Sequence, residues 1–175
     1  MNMNINMKTL IKILLLWLCF YSLATSIYLN VTQSERLGYY FAYKWFDYHI
    51  GDIVLICLDN TKYSNVLHSL GLGATQNDCP NHMPFLLKRI VATSGDIVRI
   101  TNRGVYINNN LYKDSKPLGR YKGINLLAQA DGVITLKPHE YFLLGETPTS
   151  YDSRYFGVVY QQQIYKKASF LKEIH

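Results

Sequence analysis

The hydrophobic pattern divides the chain near residue 30. Residues 10–29 form a 20-residue apolar run broken by one charge, Lys12. As a helix, that run would rise about 30 Å, enough to cross a hydrocarbon core. Lys8 and Lys12 lie at its amino side, and the first acid, Glu35, lies beyond it. The positive-inside bias therefore predicts a cytoplasmic segment at 1–9, a transmembrane anchor at 10–29 and an exported domain at 30–175. Ser22-Leu23-Ala24 offers the small residues of a cleavable secretory signal, which is the competing reading. Both readings export the remainder. The run exceeds the usual h-region of about 7–15 residues, which favours a retained anchor.

The exported part reads as mainly β. After a turn at 49–52 comes the apolar run Ile53-Val54-Leu55-Ile56-Cys57, then a polar, Gly-containing excursion over 59–83. A second strand is predicted over 85–92, a turn at Thr93-Ser94-Gly95-Asp96, and a third strand over 97–100. Asn102-Arg103-Gly104 then leads into Val105-Tyr106-Ile107, a hairpin signal. Residues 113–131 are polar and irregular, and 140–144 read as a further strand. No segment after residue 30 carries a long helical period. Short strands with frequent turns imply an antiparallel or mixed β domain. The aromatics Tyr39, Tyr40, Phe41, Tyr43, Trp45 and Phe46 fit either a half-buried strand or a membrane interface.

Composition narrows the class. The chain has 175 residues, 49% hydrophobic and 17% charged, with 15 Tyr. Low charge and abundant aromatics exclude a disordered chain, and the length allows one domain plus an appendage. The net charge is +6, but no dense basic stripe accompanies it, so nucleic acid is not an expected partner. Of the three cysteines, Cys19 lies in the apolar run. Cys57 and Cys79 both fall in the exported part. Paired, they would close a loop of about 23 residues worth about 3 kcal/mol; the alternative is two buried thiols. An oxidising compartment favours the bridge. Asn30-Val31-Thr32 fits a glycosylation sequon, which matters only in a eukaryotic secretory pathway.

His49, His68, His82, His139 and His175 are dispersed, so no metal site is expected. Gly71-Leu72-Gly73 lacks the context of a phosphate loop, and no GxSxG occurs. No cofactor is implied. Lys88 stands out because strand alternation puts it on one face with Leu86, Ile90 and Ala92, while Arg89 joins Leu87 and Val91 on the other. A lysine there either snorkels to solvent or is buried with a lowered pKa, which would suit a general base.

Four blocks in order now resemble the signal peptidase I superfamily, and more narrowly its TraF-type branch from conjugative transfer systems. Asn30-Val31-Thr32-Gln33-Ser34 with Gly38 and Tyr40 resembles the nucleophile box, and Gly51-Asp52-Ile53-Val54 the strand-opening box. Leu87-Lys88-Arg89-Ile90-Val91-Ala92 with Gly95-Asp96 is similar to the general-base box. Residues 145–157, containing Ser150-Tyr151-Asp152-Ser153-Arg154, are similar to the closing box. Cys57 and Cys79 also suit the TraF-type branch. Arg36 stands where that branch usually has Pro, which bears on the shape of the cleft. Glu146-Thr147-Pro148 replaces the Asp-Asn-Arg opening of general leader peptidases.

The resemblance implies a signal-peptidase/LexA-like coiled β-sheet domain with a serine–lysine dyad and no cofactor. Ser34 would be the nucleophile and Lys88 the general base, with Thr32 and the Ser34 backbone N–H forming the oxyanion hole. Ser150 would orient the lysine, and Asp152 and Arg154 would pair as structural support. The implied partners are the lipid bilayer and an exported precursor with small residues before the cut, namely a conjugative pilin, whose maturation can end in cyclisation. The implied location is the bacterial inner membrane, single-pass, with the catalytic domain in the periplasm. Two alternatives stay open: a general type I signal peptidase, and a non-catalytic anchored β domain of a secretion apparatus.

Overall fold

The amino-terminal apolar run forms a helix that is shorter than its pattern predicts. In this computed structural model, which describes residues 6–24, 26–58, 61–71, 79, 82–126, 128–129 and 132–174, helix α1 spans Met7–Ala24, 18 residues. It would rise about 27 Å. No helix among the described residues is long and apolar enough to cross a membrane. The expected transmembrane anchor over 10–29 is not supported as one continuous helix. Its last residues belong to strand β1 (Ile27–Asn30), where Ile27 pairs with Phe41 and Tyr28 with Tyr40. β-branched and aromatic residues favour a pleated, half-buried surface, and the ladder they form there ends the helix. Residues 1–5 of the expected cytoplasmic segment lie outside the described residues, as do the side chains of Ser22, Leu23 and Ala24, Leu72-Gly73 and His175.

The rest of the chain comprises β2 (Gly38–Tyr43), β3 (Ile53–Ile56), α2 (Thr61–Ser69), β4 (Leu86–Ala92), β5 (Ile97–Thr101), β6 (Gly104–Ile107) and β7 (Asn110–Leu111). These are followed by β8 (Arg120–Tyr121), β9 (Ile124–Asn125), β10 (Gly132–Thr135), β11 (Glu140–Leu144), α3 (Ser153–Phe156), β12 (Val159–Tyr160) and β13 (Ile164–Glu173). A seven-stranded sheet runs β1-β2-β13-β3-β4-β11-β12, with neighbouring strands antiparallel. A four-stranded sheet, β10-β5-β6-β7, and the small β8-β9 hairpin complete the fold. The architecture is mainly β, as the turn-bracketed runs imply.

β3 is a continuous apolar run, and β4 is apolar apart from Lys88 and Arg89, because both faces of these strands are covered. Val54, Ile56, Leu86 and Ile90 enter one core cluster with Leu67, Leu143 and Tyr155. Leu55 and Leu87 enter another with Tyr40, Ala42 and Ala168. The polar excursion after β3 is more ordered than expected: α2 delivers Leu67, and the turn after it Leu70, to the first cluster. Cys57 and Cys79 are disulfide-bonded, with Cα atoms 5.7 Å apart, and the bridge ties the base of this excursion. In β2 the aromatics alternate, Tyr40 fully buried and Tyr39 exposed, while Trp45 and Phe46 beyond the strand are exposed. Gly38 opens β2 where a side chain has no room. A Cβ there would lie 2.2 Å from the Lys172 carbonyl oxygen on β13.

Candidate active site

The short turn between β1 and β2 carries Ser34, and Asn30 builds that turn. Asn30 is 1% exposed. Its Nδ2 donates to the carbonyls of Thr32, Glu35 and Arg36 at 2.9–3.0 Å, and its Oδ1 accepts from the Thr32 N–H and hydroxyl at 3.1 and 2.8 Å. One buried amide thus satisfies most of the backbone of a chain reversal. The same burial leaves Asn30 no way to serve as a glycan acceptor. Ser34 is half-buried, with its Oγ 3.4 Å from Thr32 Oγ1. The Arg36 side chain lies over the Phe170 ring at 5.8 Å, on β13 and away from the cleft that Ser34 lines.

Lys88 lies in the middle of β4, opposite Val54 of β3, and is 2% exposed. Of the two fates open to such a lysine, it is buried rather than snorkelled. Its Nζ donates to the Leu87 carbonyl at 3.0 Å. Burial pushes its pKa down from an ordinary 10.5 to about 8, although the carboxylates of Asp152 and Glu35 pull upward. Those two carboxylates place Lys88 electrostatically between two segments: Glu35 follows Ser34 directly, and Asp152 lies two residues past Ser150.

The loop after β11 closes over this point. Ser150 is buried, and its Oγ has no hydrogen-bond partner among the described residues. The expected bond from Ser150 to Lys88 is therefore not made here; the lysine's proton goes to its neighbour's carbonyl instead. Gly145 shows how tightly the loop packs. A Cβ there would meet Ser150 Oγ at 2.2 Å and the Ser34 carbonyl oxygen at 2.8 Å, so the two serines abut the same backbone atom. The Glu146 N–H donates to that Ser34 carbonyl at 2.6 Å. Ser34 and Ser150 line one cleft of about 430 Å³ with Thr32, Leu70, Gly71 and Lys122.

Asp152 and Arg154 form a buried two-point ion pair, with Nε to Oδ1 and Nη2 to Oδ2 both 2.8 Å. Arg154 also donates to the carbonyls of Thr147, Pro148 and Ser150, and Asp152 Oδ2 accepts from the Gly145 N–H at 3.0 Å. The pair holds the loop that carries Ser150. Three residues escaped the sequence reading: Asn30, which shapes the nucleophile turn, and Glu35 and Arg89. Arg89 Nη2 lies 2.6 Å from Glu35 Oε2 and 3.1 Å from Glu146 Oε1, and Nη1 donates to the Gly51 carbonyl at 3.1 Å. The one signal available was their adjacency to Ser34 and Lys88.

Comparison with known proteins bears on this arrangement. The family model for signal peptidases, peptidase S26, matches residues 5–172. The chain belongs to that peptidase family, in its TraF-type branch. The branch rests on two relatives in particular. A plasmid transfer protein TraF from Escherichia coli is 36% identical over 96 residues, 49% of this chain and 50% of its own length. A conjugal transfer protein TraF from Agrobacterium tumefaciens (strain 15955) is 33% identical over 133 residues, 75% of this chain and 73% of its own length. The chain thus spans half the length of the first relative and nearly three quarters of the second. A signal peptidase I structure from Enterococcus faecalis V583 aligns with 72% of this chain and 97% of its own, at 22% identity and a TM-score of 0.36. That superposition is too loose to bear on the site.

Proposed function

We propose that this chain is a serine endopeptidase that cuts an exported precursor protein, a conjugative pilin, by a Ser34–Lys88 dyad. The observation that carries the reading is the buried Lys88, held at a lowered pKa between the segments bearing Ser34 and Ser150. A hydroxyl is a poor nucleophile at neutral pH unless a base takes its proton, and a neutral, buried lysine is suited to that task. Ser34 Oγ attacks the scissile carbonyl as its proton passes to Lys88 Nζ. The C–N bond then breaks and the departing amine takes the proton from Nζ. The acyl-enzyme ester is resolved by water, or by the precursor's own amino terminus with formation of a cyclic product.

The oxyanion is held by the Ser34 backbone N–H and the Thr32 hydroxyl, which turns from Asn30 toward the developing charge. One donor of this kind is worth about 3 kcal/mol. Ser150 Oγ, buried and unpartnered, is free to turn to Lys88 during the reaction. The precursor lies extended in the cleft, where shallow walls favour small residues before the cut. Residues 30–175 act outside the cytoplasm, in the periplasm. The Cys57–Cys79 bridge supports an oxidising compartment. The lipid partner is proposed at the exposed apolar side chains of α1, such as Leu14, Leu16 and Trp17.

Co-expression with a pilin precursor, read by intact mass, tests the proposal. Leader loss should occur with the wild type and vanish in Ser34→Ala and Lys88→Ala, and a product lighter by one further water identifies cyclisation. Processing that survives either substitution ends the dyad reading.

A further inference from the structure

Glu35 is a buried acid that the proposed mechanism does not use. Its side chain has no solvent exposure, and Oε2 lies 2.6 Å from Arg89. Its other oxygen, Oε1, is also buried and has no hydrogen-bond partner among the described residues. On stability grounds such a group is a poor choice. A buried ion pair recovers its desolvation cost only when the remaining lone pairs are satisfied, and well-packed apolar residues often do as well.

The position of Glu35 offers a better account than stability does. Arg89 gathers three segments: Glu35 from the Ser34 turn, Glu146 from the loop carrying Ser150, and the Gly51 carbonyl from the turn before β3. Glu146 in turn donates its N–H to the Ser34 carbonyl at 2.6 Å. Arg89 adjoins Lys88 on β4, so the clamp spans the whole reacting group. We propose that Glu35 is a positioning residue: through Arg89 it holds the Ser34 turn against the Lys88 strand, and its carboxylate adds a second negative charge, beside that of Asp152, facing Lys88. The inference rests on the dyad reading above.

The groups around Glu35 define what titrates. Arg89 and Lys88 face it from β4, Glu146 from the loop after β11, Tyr40 from β2, and Tyr112 from the segment after β7. Burial pushes Tyr40 up to about 12 and raises Tyr112, so both phenols stay neutral in the working range. Burial also pushes the Glu35 carboxyl up to about 7, against the pull of Arg89. As pH rises, Glu35 therefore ionises and tightens the clamp before Lys88 gives up its proton near 8. The Glu35 charge in turn favours the charged form of Lys88.

Removing that charge while keeping the shape should make Lys88 less basic. In Glu35→Gln the acid limb of kcat/KM should move to lower pH by about half a unit or more, while kcat falls as the clamp loosens. Glu35→Asp should keep the wild-type limb. The midpoint of Lys88, followed by NMR of ¹³Cε-labelled lysine in the full chain, should fall with the limb in Glu35→Gln. An unmoved midpoint in folded Glu35→Gln overturns the inference, since a merely structural role would lower activity at every pH without shifting it. If Glu35→Gln does not fold, Glu35→Met, which a buried site accepts more readily, takes its place with the same expected shift. The NMR midpoint does not depend on activity. Processing that survives Lys88→Ala would sink the dyad reading alone, and a confirmed dyad with an unmoved midpoint would sink this inference alone.

Discussion

Replacing Lys88 by methionine should stabilise the protein at neutral pH. The lysine is buried at 2% exposure, and its pKa is pushed from 10.5 to about 8. At about 1.4 kcal/mol per pH unit, holding the charged form in that site costs about 3 kcal/mol. Methionine fills much the same volume with no charge, but forfeits the bond from Nζ to the Leu87 carbonyl, worth about 1 kcal/mol. Lys88→Met should therefore gain about 2 kcal/mol at pH 7.5. The sign follows from linkage. Below pH 8 both the folded and unfolded states bind the lysine proton, and the full cost is present. Between about 8 and 10.5 the folded state has lost the proton while the unfolded state keeps it, so the wild type gains stability as pH rises. The advantage of Lys88→Met should shrink by about 3 kcal/mol across that window and end at or below zero. Urea unfolding of both proteins at intervals from pH 7.5 to 10.5, with the disulfide intact, measures the difference, and other titrating groups cancel in it. A constant difference across the window would refute the reasoning, because Lys88 would then titrate alike in both states.

Four other outcomes follow from the same geometry. Processing by the wild type should rise with pH on an acid limb near 8, where Lys88 becomes neutral; a limb below pH 6 in a pH–rate profile would contradict a lysine base. Gly145→Ala should lower processing at least about 100-fold and cost about 1–3 kcal/mol in thermal unfolding, because the added Cβ has no space between Ser150 and the Ser34 carbonyl. Asn30→Ala should lose about 2–4 kcal/mol in urea unfolding, as its amide serves three carbonyls and the Thr32 N–H; an unchanged midpoint would mean the turn holds without it. Reduction of Cys57–Cys79 should cost about 3 kcal/mol and raise KM more than it lowers kcat, since the excursion it ties carries Leu70 and Gly71 of the cleft wall; equal effects on both would separate bridge from cleft.

The strands were legible where apolar runs sit between turns: β3, β4, β5, β6 and β11 fall where the pattern puts them. β13 was not legible. It is the longest strand, yet it reads IYKKASFLKE, because sheet on both sides covers its backbone while several of its side chains reach solvent. α2 was hidden for the opposite reason: Leu67, and Leu70 just beyond it, are its apolar anchors inside a polar stretch. The overlong apolar span came from hydropathy alone, which does not register that Ile27 and Tyr28 pair with Phe41 and Tyr40 further down the chain. At the site, the serine, the lysine and the Asp152–Arg154 pair were readable from their boxes. Glu35 and Arg89 were not, because an ion pair 54 residues apart leaves no local trace.

The catalytic candidates and two residues that escaped the sequence reading occur side by side: Ser34 with Glu35, Lys88 with Arg89. On β4 this is a consequence of the pleat, since successive side chains leave a strand on opposite faces. A strand that turns a lysine to one face must turn its next residue to the other. The chain uses that second position for the guanidinium that joins the three segments at their neighbours' positions. Chemistry and clamp are then fixed by the same register. A one-residue slip of β4 against β3 would exchange them, putting Arg89 opposite Val54 in place of Lys88. The core on both faces of β4 resists that slip, because Leu86 and Ile90 on one side and Leu87 on the other would all change places with it. The packing of β3 against β4 thus sets the position of Lys88, while the buried Asn30 amide sets the turn that carries Ser34.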